Sequence, residues 1–176
     1  MPARSPELRF QRLLRLAQFD ALSLLVVATP ATLGAALGGE WTVAAIGAGV
    51  VGCGSLEWRG QKQLRLGAAA GLGWMVVAQL VCLGLLLLYA WRLAHLDNAS
   101  HLLALLPAFA RAQLDSFLLY PEEIDHLFLL AQRLTAGAIA LTATLYQGGL
   151  AFHYLRSRAL VRSVLATPPV LRPSLG

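Results

Sequence analysis

Acidic and histidine side chains gather in one polar stretch between two long apolar runs. This stretch holds five of the nine acids and three of the four histidines. They are His95, Asp97, His101, Asp115, Glu122, Glu123, Asp125 and His126. One interpretation is a ring of acids at a pore mouth, which concentrates cations. The alternative is that the stretch is polar only because it is an exposed loop. Because the histidines and acids follow no dedicated metal-ligand spacing, the sequence predicts no metal or other cofactor.

Polar side chains inside the apolar runs form a second candidate group. Gln79 lies near the middle of the third run, and Gln147, Thr142 and Thr144 lie in the fourth. Polar groups within a membrane are costly and often functional. We predict that these four residues line a polar path, and the alternative is that they hydrogen-bond between helices.

Two further acids, Asp20 and Glu57, lie at the predicted cytoplasmic ends of their runs, where Arg15 or Arg59 could pair with them. The two cysteines, Cys53 and Cys82, are predicted to be free packing thiols. No nucleophile–base pair or metal-ligand set is recognisable, so the chain is not predicted to be an enzyme.

Composition explains why these groups are so few. The 176 residues are 57% hydrophobic and 13% charged, whereas soluble domains carry about 25% charged residues. A lipid-facing surface accounts for the difference. The net charge of +5 does not indicate a nucleic-acid partner, because the basic residues flank apolar runs instead of lining one stripe.

Four apolar runs are long enough, or nearly so, to cross a bilayer core of about 30 Å. They do not alternate with period two, so helices are predicted. The predicted fold class is an all-α integral membrane four-helix bundle, with a single domain over residues 1–166 and a Pro-rich tail at 167–176. The predicted spans are about 18–38, 41–58, 66–94 and 121–158.

Two amphipathic helices are predicted outside these spans. One precedes the first span and carries the apolar stripe Phe10, Leu13, Leu14 and Ala17. It is predicted to lie on the membrane surface or, alternatively, to extend the first spanning helix. The other lies within the outer segment 95–120. A signal peptide is a competing interpretation of the first run, but its basic leading region is long and contains Glu7.

Lysine and arginine placement predicts the orientation. Eleven of the fourteen basic residues lie on one side of a four-span arrangement. The other side has only Arg92, Arg111 and Arg133. Both termini are therefore predicted to be cytoplasmic. The predominance of Arg over Lys suggests a bacterial inner membrane.

The predicted function follows from this layout. Four short spans enclose little space, and small residues such as Ala44, Ala48 and Gly52 recur on one helix face, which favours close helix contacts. We predict a homo-oligomeric cation channel or transporter-like protein in the lipid bilayer. The alternative is a non-catalytic accessory or scaffold subunit of a larger membrane complex.

Overall fold

The computed structural model describes the backbone of residues 6–95 and 121–166, with the side chains of 121–125 left aside. This part of the chain is helical and contains no β-strand. The helices are α1 (Pro6–Leu37), α2 (Trp41–Arg65), α3 (Ala70–Ala94), α4 (Pro121–Ala143), a π-helical turn (Thr144–Gly148), α5 (Gly149–Arg156) and α6 (Arg158–Ala166). The predicted outer helix within 95–120 and the tail at 167–176 lie outside the described residues.

The N-terminal stripe and the first apolar run form one helix. α1 begins at Pro6 and continues for 32 residues, a length of about 48 Å. Proline suits a first helical position because its missing N–H would have no helical partner there. The stripe that begins at Phe10 is buried against the protein itself, as expected of an extension of the first apolar helix.

Short turns join the first three helices. The turn between α1 and α2 contains Gly39 with a φ of 78°, and the turn between α2 and α3 contains Gly67 with a φ of 87°. Glycine adopts this left-handed conformation without the steric cost of a Cβ atom. α3 therefore starts at Ala70, later than the predicted 66, and α2 extends to Arg65, beyond the predicted 58.

Three stretches of the described helices are long and apolar enough to cross a membrane: Pro6–Leu37, Ala70–Ala94 and His126–Arg156. Over residues 6–95 and 121–166 the chain is thus all-helical, with three such candidate spans. α2 is not among them, and it contains several small residues and the acidic Glu57. Its assignment as a fourth span stays a prediction.

The chain divides into two compact units. The first comprises the described residues up to Leu85 and from Ala143 onward. Its apolar core joins the N-terminal half of α1 with residues of α2, α3, α5 and α6. Its buried members include Phe10, Leu13, Leu14, Leu64, Met75, Leu150, Tyr154 and Val161. The assignment of residues 1–166 to a single domain stays a prediction.

The second unit contains the end of α3 and most of α4, within Leu86–Thr142. Ala90 and Ala136 are buried there. The Gln132 side-chain amide donates a hydrogen bond to the Leu93 carbonyl oxygen. This bond satisfies an orphan carbonyl in the last turn of α3, so a glutamine in an apolar helix has a structural role.

The predicted fourth spanning helix contains a π-helical turn. In place of one α-helix over 121–158, a π-helical turn at Thr144–Gly148 separates α4 from α5. The chain bends at Ser157, and α6 then begins at Arg158. α6 contacts α1, and its Val161 is buried. Neither the π-helical turn nor α6 was predicted from the apolar pattern, which does not distinguish 3.6 from 4.4 residues per turn over five residues.

Candidate functional site

A buried polar cluster lies in the first unit, to which four helices each contribute one central residue. α1 provides Asp20, α2 provides Glu57, α3 provides Gln79 and α5 provides Tyr154. None of the four exposes more than 1% of its surface. Charged and polar side chains are seldom buried so completely unless they have partners or a function.

Two short hydrogen bonds connect these residues in pairs. The Gln79 Nε2 group donates to Asp20 Oδ2 over 2.6 Å. The Tyr154 hydroxyl donates to Glu57 Oε1, also over 2.6 Å. Each carboxyl group thus accepts a bond from a neutral donor on another helix, which joins α1 to α3 and α2 to α5.

The two carboxyl groups also face each other. Glu57 lies near both Asp20 and Gln79, so that the two carboxyl groups interact electrostatically. Within the described part of the chain, Glu57 Oε2 and Gln79 Oε1 have no hydrogen-bond partner. Two ionised carboxylates have only acceptors, so a hydrogen bond between them requires a proton on one of them. A proton on Glu57 Oε2 would provide a donor for that otherwise unsatisfied atom.

Helical periodicity brings these groups to one place. On α1, Asp20 follows Ala17 by three residues and continues the buried face that starts at Phe10. On α2, Glu57 lies between Cys53 and Gly60 on the buried face. The carboxyl groups therefore occupy positions where the pattern of each helix otherwise places apolar or small residues.

The π-helical turn contributes two more polar residues to the first unit. Gln147 is buried, and its Oε1 has no hydrogen-bond partner among the described residues. The preceding Tyr146 is 46% exposed, and its side chain lies near Asp20. π-helical turns occur often at functional sites, because the extra residue redirects side chains that an α-helix would place elsewhere. Tyr146 is thus a partly exposed side chain near the buried carboxyl group.

The two cysteines lie next to the carboxyl groups. Both are free and buried, which confirms the prediction of free packing thiols. Their thiols lie near enough to influence each other electrostatically. Cys53 precedes Glu57 by four residues and Cys82 follows Gln79 by three, so each thiol lies about one turn from a member of the cluster.

A separate set of polar bonds lies one turn further along α2. The Gln61 Nε2 group donates to the Leu14 carbonyl oxygen over 2.7 Å. Arg65 donates from Nη2 to Gln18 Oε1 over 2.9 Å. These bonds fasten α2 to α1 and leave Asp20 and Glu57 without a basic neighbour among the partners described here.

The predicted polar path is brought together only in part. Gln79 and Gln147 are buried in the first unit, whereas Thr142 and Thr144 are exposed. The predicted pairing of Asp20 with Arg15 and of Glu57 with Arg59 is wrong, since the carboxyl groups bond to Gln79 and Tyr154 instead. The reason is that Asp20 and Glu57 continue the buried helix faces, while Arg15 and Arg59 are exposed.

The predicted outer acid and histidine cluster is described at two positions only. His95 and His126 are both exposed. His95 Nδ1 lies 2.8 Å from the Trp91 carbonyl oxygen. Three predicted members lie outside the described residues, namely Asp97, His101 and Asp115. For three more, only the backbone is described, namely Glu122, Glu123 and Asp125.

Sequence reasoning did not find Tyr154 or the proximity of the two carboxyl groups. A usable signal was present, since Asp20 and Glu57 both fall in phase with the buried stripes of their helices. Among the described residues, no group of three or more His, Cys, Asp or Glu side chains could hold a metal ion.

Comparison with known proteins gives no match to a family model, to a curated protein or to a solved structure.

Proposed function

We propose that this protein is a small transporter-like membrane protein with a preference for cations, and that the carboxyl pair of Asp20 and Glu57 binds a proton inside the helical bundle. The observation that carries the proposal is the proximity of two buried carboxyl groups from different helices. Ionisable residues inside membrane bundles commonly mark ion pathways and proton relays.

The neutral surroundings of the pair favour a proton as the bound cation. The described hydrogen-bond partners of the two carboxyl groups are one amide and one phenol, Gln79 and Tyr154. With one proton, the carboxyl groups attract each other through a hydrogen bond. Without it, two negative charges repel in surroundings of low dielectric constant. Binding and release of a proton would therefore change the contact between α1 and α2.

Four crossings of the membrane are part of this proposal. α2 connects two helices that are apolar enough to span a bilayer, through turns of three and four residues. If α1 and α3 both cross, such short turns require α2 to return through the same depth. Its 25 residues give a length of about 37 Å, which covers a hydrocarbon core of about 30 Å.

The orientation follows the distribution of basic residues. With both termini in the cytoplasm, eleven of fourteen Lys and Arg residues lie on the inner side. The Arg-rich composition favours a bacterial inner membrane. Single cysteines placed near the N-terminus and near residue 62 should then react with an impermeant maleimide only in inverted membrane vesicles. A cysteine at position 126 should react only from the outside, and the reverse pattern would contradict this orientation.

We also infer that the chain associates with copies of itself, because a continuous path for cations needs more enclosed space than one small chain offers. Ala48 and Gly52 are exposed on α2, and a Cβ atom at Gly52 would meet nothing within 4 Å. Small exposed residues allow another helix to approach closely. The same surface favours the second candidate function, an accessory or scaffold subunit that packs against another membrane protein.

Proton flux into liposomes tests the transport proposal. Purified protein is reconstituted with a pH-sensitive dye inside, and a potential is applied with potassium and valinomycin. With the wild type, the lumen should become more acidic when the applied potential is negative inside and more alkaline when it is positive inside. Glu57→Gln and Asp20→Asn should lose this flux. Each replaces one carboxyl group by an amide of nearly the same shape that does not take up a proton in its place.

Glu7→Gln is the matched control, because it removes a carboxyl group of the same helix outside the cluster. Its flux should equal that of the wild type. Equal flux in Glu57→Gln and the wild type would refute a role for the pair. No flux from folded wild-type protein, combined with co-purification of a stoichiometric membrane partner in mild detergent, would favour the scaffold function.

A further inference from the structure

A cleft with a volume of about 650 Å³ lies between α1 and the junction of α5 with α6. It is separate from the carboxyl cluster and shares no residue with it. Three arginines line it, Arg9 and Arg12 from α1 and Arg156 from α5, together with Leu13, Leu16 and Leu160. Its volume falls within the range of about 300–1,000 Å³ that small-molecule sites have.

The charge in this cleft is of one sign. Arg9 and Arg12 are three residues apart and therefore lie on the same face of α1. Arg156 is the last residue of α5 and approaches from the other wall. None of the residues that line the cleft is acidic. Guanidinium groups on two walls match the oxygens of a phosphate group, which they bind through paired hydrogen bonds.

The rest of the lining consists of His153, Ser157 and three leucines, and the leucines distinguish this cleft from a site for a small soluble anion. Leu13 is buried, while Leu16 is 38% exposed. α6 packs on α1 through the buried Val161, so both walls belong to one packed unit. A ligand that fits must carry negative charge at one end and hydrocarbon close to it.

We propose that this cleft binds the headgroup of an anionic phospholipid, with the phosphodiester between Arg9, Arg12 and Arg156 and the glycerol and first acyl carbons against the leucines. In the proposed orientation the cleft faces the cytoplasmic leaflet, where anionic lipids attract basic segments. Basic pockets between helices at this level are suited to such headgroups.

Native mass spectrometry of the full chain tests the site. Protein is released from nanodiscs that contain equal amounts of phosphatidylglycerol and phosphatidylcholine, and the lipids retained per chain are counted. The wild type should retain one phosphatidylglycerol in preference to phosphatidylcholine. The variant with Arg9→Gln, Arg12→Gln and Arg156→Gln should lose this preference. Each single substitution should weaken retention about fivefold, since a basic residue near a membrane surface contributes about 1 kcal/mol.

Arg15→Gln is the matched control, because it removes the same charge from the same helix without lining the cleft. It should retain phosphatidylglycerol like the wild type. An equal loss in Arg15→Gln would show that general surface charge is responsible and would overturn the proposal. So would equal retention in the triple variant and the wild type.

Inorganic phosphate separates a lipid site from a site for a free anion. At millimolar concentration it should leave the retained phosphatidylglycerol in place, because it cannot contact the leucines. Displacement of the lipid by phosphate, with phosphate retained instead, would contradict a phospholipid site. If the triple variant does not fold, Arg12→Gln and Arg156→Gln alone decide the question, since both side chains are exposed.

Discussion

The Tyr154 hydroxyl donates a 2.6 Å hydrogen bond to Glu57 Oε1 across a separation of 97 residues in the sequence. Both side chains are completely buried. The bond joins the helix that follows the π-helical turn to the middle of α2. It places a titratable residue and its donor within the first unit, so the stability and the chemistry of this unit depend on the same contact.

Replacing Tyr154 by Phe tests this contact. The ring is retained, but Glu57 Oε1 loses its donor, and a buried group without a partner costs about 1–3 kcal/mol. We expect the free energy of unfolding in detergent to fall by that amount. Tyr89→Phe is the control, since Tyr89 is only partly buried, and it should change stability by less than about 0.5 kcal/mol. Equal effects of the two substitutions would contradict the role of Tyr154.

The close approach of α2 and α3 predicts an asymmetric response to alanine. At Gly60 an added Cβ atom would lie 2.7 Å from the Gly71 carbonyl oxygen and 2.9 Å from Met75 Cγ. Because a backbone atom cannot move aside cheaply, Gly60→Ala should destabilise the protein by about 1–3 kcal/mol.

Gly73→Ala is the matched control on α3, where nothing lies within 4 Å of the added atom. It should leave stability unchanged or raise it by up to about 1 kcal/mol, because alanine is the better helix former. Thermal unfolding of the two variants side by side measures the difference. A stable Gly60→Ala protein beside a destabilised Gly73→Ala protein would contradict this packing.

The left-handed turn before α3 predicts a graded effect at Gly67, whose φ is 87°. Gly67→Ala should lower the free energy of unfolding by about 1–2 kcal/mol, because a Cβ atom is strained in this region. Gly67→Asn should cost less, since asparagine tolerates the left-handed conformation better than alanine. The order of the two unfolding midpoints is the readout, and an alanine variant more stable than the asparagine variant would count against the turn.

The burial of both thiols predicts slow chemical modification. Cys53 exposes 2% and Cys82 exposes 0% of its surface. N-ethylmaleimide should therefore leave the folded protein unmodified for much longer than it takes to label both thiols after unfolding in SDS. Intact mass spectrometry counts the adducts over time. Rapid addition of two labels to folded protein would show that the region between α2 and α3 opens readily.

The apolar pattern alone was sufficient to predict that the chain is helical. It also located the apolar runs that contain α1, α3 and the stretch from α4 to α5. Local signals also located Pro6 at the start of α1. Partnerships between helices were harder, because the sequence shows which face a residue occupies but not what lies opposite. For this reason Asp20 was expected to pair with Arg15 on its own helix, whereas its partner is Gln79, 59 residues away.

The predicted polar path also shows that sequence identifies unusual residues more readily than their surroundings. Gln79 and Gln147 were identified because a polar residue is conspicuous in an apolar run, and both are buried in the first unit. Thr142 and Thr144 belong to the same run and are exposed. The π-helical turn changes the phase of the helix at this point, and no residue type in Thr144–Gly148 indicates it.

The length of that turn also limits which insertions and deletions this gene tolerates. A π-helical turn holds one residue more than an α-helical turn of equal rise. Removing one residue from Thr144–Gly148 would restore one ordinary α-helical turn and leave Tyr154 facing Glu57. Removing a second residue would rotate Tyr154 by about 100° around the helix axis and point its hydroxyl away from Glu57. A single-codon deletion in this segment should therefore be accepted, whereas a two-codon deletion should be selected against as strongly as loss of Tyr154 itself.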